Sequence, residues 1–177
     1  RESGARRIHL IAHSRGNRAL TDALEIFALS HDGPLPAFGQ VLFTAPDLDA
    51  GLFWEMMKTI SPVAERATLY GSNNDWALAV SRQLHGDEPR AGQGGADILT
   101  IPDADSVEMS ALGDDMLAHS YFANDPSALM DILSLFWRGT PPDQRCGMKA
   151  GQGARGPSWE CATNLCDGNA MLLPLRT

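Results

Sequence analysis

The residues with the clearest chemical potential stand near the start of the chain, in RRIHLIAHSRGNRALTDAL. Ser14 lies there between Ala12 and Gly16, after an apolar run and before an amphipathic one. A small-x-Ser-x-Gly pattern is weak by itself. Its setting strengthens it, because a serine on a sharp strand-to-helix turn has its hydroxyl lifted clear of the backbone as a nucleophile. Small residues are expected two positions before and two after, where such a strained turn crowds its neighbours. Ala12, where glycine is usual, adds only a methyl. Free N–H groups at the start of the following helix favour an oxyanion, and the Arg15 N–H is the expected donor. The competing reading makes Ser14 no more than the cap of that helix. The Arg15 side chain reads as an exposed structural group, with contact to an anionic substrate as the other possibility.

A serine hydroxyl needs a base to take its proton and an acid to orient that base. The chain order for a nucleophile on such a turn is Ser, then Asp or Glu, then His, each just beyond the carboxyl end of a strand. Of the five histidines, His9 falls inside the first strand and His13 adjoins the serine and points away. His31 and His85 close helices. His119, in LAHSYF, lies in the long connection after the last expected strand and is the candidate general base. Asp75, in GSNNDWAL, is the candidate acid, although an Asp directly before a helix is also an N-cap. Asp47, in TAPDLD, is its rival. Asp103 and Asp105 read as loop carboxylates.

These positions depend on an alternation of elements. Strands are expected at Ile8–Ala12, Gln40–Thr44, Ala67–Gly71 and Ile98–Ile101. Helices are expected from Arg15 to about Ser30, after Asp49 as far as Ile60, at Trp76–Leu84, and after the Asp125–Pro126 cap until Gly139. Short apolar strands separated by helices imply a mostly parallel sheet with flanking helices. Beyond Pro142 the chain becomes Gly-rich and aperiodic, so residues 143–177 are expected to be an irregular or disordered tail to a domain of residues 1–142.

Composition narrows the chemistry. The 177 residues suffice for one domain with its own core. A net charge of −8, from 22 acidic and 14 basic side chains, and the lack of an Arg/Lys cluster argue against a nucleic-acid partner. No apolar run approaches the length of a membrane span. Cys146, Cys161 and Cys166 form neither a disulfide framework nor a zinc pattern, read as incidental thiols, and leave the compartment open. No metal or organic cofactor is called for.

Four blocks in order, IHLIAHSRGNRALTDAL, QVLFTAPDLDA, TLYGSNNDWALAVSRQLHG and HSYFANDPSALMDILSL, resemble a bacterial α/β-hydrolase family of unknown function, described as esterase/lipase-like. The likeness runs from residue 6 to about residue 145. It implies the assignment Ser14–Asp75–His119 but no particular substrate. The expected activity is cleavage of small-molecule carboxylic esters through an acyl-enzyme; transfer to another acceptor would use the same machinery. The alternative is a non-catalytic binding or scaffold protein that keeps the architecture. In that fold the serine strand is central and several elements come before it, whereas only 13 residues precede Ser14. The expectation is therefore the C-terminal portion of an α/β-hydrolase domain, truncated at its N-terminus, with Ile8–Ala12 at an open edge. The absent part would supply the second oxyanion N–H, so this piece alone is expected to be weakly active or inactive.

Overall fold

The computed structural model describes residues 4–112 and 125–162. The elements are β1 (Leu10–His13), α1 (Gly16–Ser30), β2 (Phe38–Thr44), α2 (Ala50–Ile60), β3 (Ala64–Gly71), α3 (Trp76–Leu84), β4 (Ala104–Glu108), α4 (Pro126–Arg138), β5 (Met148–Gly153) and β6 (Gly156–Cys161). The strands form one sheet in the order β1-β2-β3-β4-β6-β5. All neighbours run parallel except β5 and β6. The expected mostly parallel sheet with flanking helices is thus present.

The apolar run QVLFT is continuous because both faces of β2 are covered. Successive side chains point to opposite faces of a strand. Val41 and Phe43 enter one core with Leu24 of α1, Phe53, Met57 and Ile60 of α2, and Leu69 of β3. Leu42 enters the other, with Tyr70, Val107, Leu78 of α3 and Ala128, Ile132 and Leu135 of α4. The helices start where their caps indicate. Asp49 accepts from Leu52 N at 2.7 Å, and Asp125 accepts from Ser127 N at 2.7 Å. Gly139, left-handed at φ 62°, ends α4.

Three expectations need correction. The first strand begins at Leu10 rather than Ile8. Gly39 N donates to Ile8 O, but the next donor, Gln40 N, is taken by the His9 ring through Nδ1 at 2.9 Å, which interrupts the ladder. The fourth strand is Ala104–Glu108, not Ile98–Ile101. Ile98 and Ile101 are buried, at 1% and 7% exposure, as part of an unpaired crossover. The true strand reads ADSVE. Its Asp105 is tolerated because Arg66 of β3 holds it at 2.7 Å, so it is not a loop carboxylate after the strand. Asp103 precedes β4, in the left-handed region at φ 61°.

The third correction concerns the tail. Residues 148–161 are an antiparallel hairpin whose β6 pairs with β4 through Val107↔Trp159 and Glu108↔Glu160. Its glycines permit close approach: a Cβ at Gly153 would lie 2.7 Å from Thr100 Cγ2. Cys146 is disulfide-bonded rather than an incidental thiol, whereas Cys161 is free and buried. The remaining tail residues, 163–177, with Cys166, lie outside the described residues.

β1 occupies one edge of the sheet, and Ile8 and Ile11 are 44% and 46% exposed. No helix among the described residues is long and apolar enough to cross a membrane.

Candidate active site

Parallel strands deliver their carboxyl ends to one edge of the sheet. In register, His13 pairs with Thr44 and Thr44 with Tyr70. Gly71 pairs with Glu108. Ser14 follows β1 by one residue, Asp47 lies three past β2 and Asp75 four past β3. This edge therefore carries Ser14, Asp47 and Asp75.

Ser14 adopts φ 52°. A non-glycine residue held in this region costs about 1–3 kcal/mol and persists only when its surroundings over-determine it. The neighbours do so. Ser14 N donates to Thr44 O at 3.0 Å. Ser14 O accepts from Asn17 N at 3.1 Å, Asn17 Nδ2 at 2.9 Å and Asp47 N at 3.3 Å. Asn17 Nδ2 also donates to Thr44 O at 3.0 Å. One buried amide thus clasps the turn and the end of β2 together. Asn17 escaped the sequence reading; its only signal was an amide in the first turn of an amphipathic helix, where a good helix former would otherwise serve.

The Ser14 side chain does not cap α1. The capping position is Arg15, with no side-chain hydrogen bond there. Ser14 is half-buried, and its Oγ makes no hydrogen bond among the described residues. The adjacent Arg15 N–H makes no backbone hydrogen bond among them either. The Arg15 side chain is exposed. The expected crowding at Gly16 is absent: a Cβ there would meet nothing within 4 Å. The turn is set by the Asn17 and Thr44 hydrogen bonds instead. His13 turns toward β2, with Nδ1 3.2 Å from Thr44 Oγ1. That hydroxyl gives its hydrogen to Ala12 O at 2.9 Å, so the His13 Nδ1 must be the donor to it.

The two rival acids are held differently. Asp47 Oδ1 accepts from Arg90 Nε at 2.9 Å and Ser81 Oγ at 2.6 Å, and Asp47 O accepts from Arg90 Nη2 at 3.1 Å. Its carboxylate is committed to a nearly buried ion pair. Asp75 is 3% exposed and its Oδ1 accepts from Leu78 N at 3.0 Å, which caps α3. A carboxylate accepts at both oxygens, so capping and orienting an imidazole are compatible. His119 lies outside the described residues. His9 stacks on Phe136 and His31 on Phe27, while His85 closes α3; none of these three is brought to Ser14.

A cavity of about 540 Å³ opens beside Asn73 and Gly94, between the start of α2 and the β5–β6 turn; its lining includes neither Ser14 nor Asp75. Among the described residues no group of His, Cys, Asp and Glu is arranged to hold a metal ion.

No curated protein and no solved structure matches the chain. A family model described as alpha/beta hydrolase of unknown function (DUF900) matches residues 1–135. That span holds the strained serine, its clasp and the Asp75 loop, and on it the chain belongs to this alpha/beta-hydrolase family.

Proposed function

We propose that the protein is a serine hydrolase that cleaves carboxylic esters of small molecules through an acyl-enzyme. The observation that carries this reading is Ser14 at φ 52°, whose Oγ makes no hydrogen bond among the described residues, beside an Arg15 N–H that no described backbone acceptor takes. A hydroxyl that merely held a helix end would be spent on that helix.

In the proposed mechanism His119 removes the Ser14 proton as Oγ attacks the carbonyl carbon. The Arg15 N–H stabilises the oxyanion of the tetrahedral intermediate. His119 then protonates the leaving alcohol. Asp75 fixes the imidazole tautomer and stabilises its cation, and water activated by His119 releases the acid and restores Ser14. Asp75 is favoured over Asp47 because the Asp47 carboxylate already binds Arg90 and Ser81.

The test is labelling of the full-length protein by a fluorophosphonate, beside its Ser14→Ala variant. The expected result is a covalent adduct mapped to Ser14 and lost in the variant. Equal labelling of both proteins sinks the reading and leaves a binding protein on a hydrolase fold.

A further inference from the structure

We propose that Glu108, the last residue of β4, is a positioning residue that holds the loop carrying Asp75 in register with the chain leaving β4. This role rests on the proposed serine-hydrolase reading. The Glu108 carboxylate sits where three loops meet. Its Oε1 accepts from Ser110 N at 2.9 Å and from Ser110 Oγ, and its Oε2 accepts from Gly95 N. Ser110 carries the tie onward. Its Oγ accepts from Asn73 N at 2.6 Å, and its carbonyl accepts from Asn74 Nδ2 at 2.8 Å. Met109 N adds a backbone bond to Gly71 O at 2.8 Å. Asn73 and Asn74 immediately precede Asp75.

The clamp has the features of a built junction. Among the described residues no Lys or Arg forms an ion pair with Glu108, so its charge is met by N–H and O–H donors. Such charge-assisted bonds are short and strong. The third loop is fitted to it: a Cβ at Gly94 would fall inside contact distance of the Glu108 carboxylate and 2.8 Å from Asn73 N. A carboxylate that only accepts is required, because every described group that bonds to it donates. The isosteric Glu108→Gln swap turns one oxygen into an amide donor and sets donor against donor. The loop must then shift, and Asp75 with it. A displacement near 1 Å in a catalytic constellation costs about 100-fold in rate.

The experiment measures fluorophosphonate labelling rates against pH, and kcat and KM on p-nitrophenyl acetate, for wild type, Glu108→Gln and Ser110→Ala. Thermal melts run in parallel. The expected result for Glu108→Gln is a labelling rate and kcat about 10- to 100-fold lower with KM little changed. The acidic limb of the pH profile should move to lower pH, because an imidazole that loses its carboxylate partner is a weaker base. Ser110→Ala, which removes the hydroxyl that joins Glu108 to Asn73 but leaves the Glu108 bonds to Ser110 N and Gly95 N, should shift the same quantities by less; it also stands in if Glu108→Gln fails to fold. A loss that only tracks the unfolded fraction, with an unmoved pH profile, overturns the positioning role, as does an unchanged rate in both variants. Failure of the underlying reading is separately visible, since wild type would then not label at Ser14, and the role falls with it.

Discussion

The two faces of the sheet are held by different physics. The face under α1 and α2 rests on an apolar cluster, with Phe43, Phe53, Met57, Ile60 and Leu69 all at or below 1% exposure. The face under α4 is apolar around a buried polar knot. The Tyr70 hydroxyl donates to Asp131, and Arg145 Nη1 donates to the same carboxylate at 3.0 Å. Arg145 also lies 3.9 Å from Asp105, which Arg66 holds at 2.7 Å. Among the described residues, Asp131 Oδ1, Arg145 Nε and Arg145 Nη2 of this knot have no hydrogen-bond partner. Burial pushes the Asp131 carboxyl above its ordinary range, and Arg145 offsets part of that rise. The first face gains free energy in proportion to the area it hides. The second gains little net energy from its charges but is costly to disturb one residue at a time. Its geometric contribution is to fix α4, β3, β4 and the chain before the hairpin in one arrangement.

The largest effect expected is on the polar side. Arg145→Met strands the Asp131 charge and should cost about 3–5 kcal/mol in urea denaturation. If the loss merely matches the side-chain volume removed, the two faces do not differ. Next, Met57→Ala on the apolar face should cost about 2–5 kcal/mol, scaling with the cavity left behind. Tyr70→Phe removes one donor to Asp131 and should cost about 1–3 kcal/mol. The double variant Arg145→Met with Asp131→Leu should recover most of what Arg145→Met loses, giving a strong coupling in a double-mutant cycle. An additive pair on the apolar face, taken from residues not in contact, makes the contrast quantitative.

The effect that is smallest near neutral pH is a pH dependence on the polar side. Burial raises the Cys161 thiol from its ordinary 9.0 to about 12, and raises the Tyr70 hydroxyl well above 10.0, with Asp131 adding to both. A folded-state pKa raised in this way stabilises the fold below the unfolded value and is lost as pH rises through the folded one. Stability should therefore decline from about pH 9 upward, through about 12 for the thiol. Cys161→Ala should flatten part of that decline in denaturation curves taken at stepped pH. An unchanged slope would show that the thiol contributes nothing to it.

What the sequence disclosed follows the same division. The apolar face was legible because its periods are simple: alternate residues in QVLFT, and Phe53, Met56, Met57 and Ile60 on one side of α2. The caps Asp49, Asp75 and Asp125 were legible because a carboxylate before a helix has a local function. β4 was not legible, because ADSVE hides its strand character in ion pairs to residues 39 and 40 positions away, Arg66 and Arg145. The β5–β6 hairpin was masked by glycines whose purpose, close approach to Thr100 and Ser158, exists only in three dimensions. At the candidate site the serine turn was visible from its flanks, but Asn17 and the Glu108 junction were not. Both bond mainly to backbone groups, which carry no residue type to read.

Asn17 has one more consequence. Its side chain grips two carbonyls that belong to different parts of the chain, Ser14 and Thr44. The unusual torsion at residue 14 is therefore propped by the adjoining strand, much as an arch leans on its abutment. Damage at the far end of β2, such as a shift of Thr44 toward solvent, would let that torsion relax without altering any atom of the serine itself.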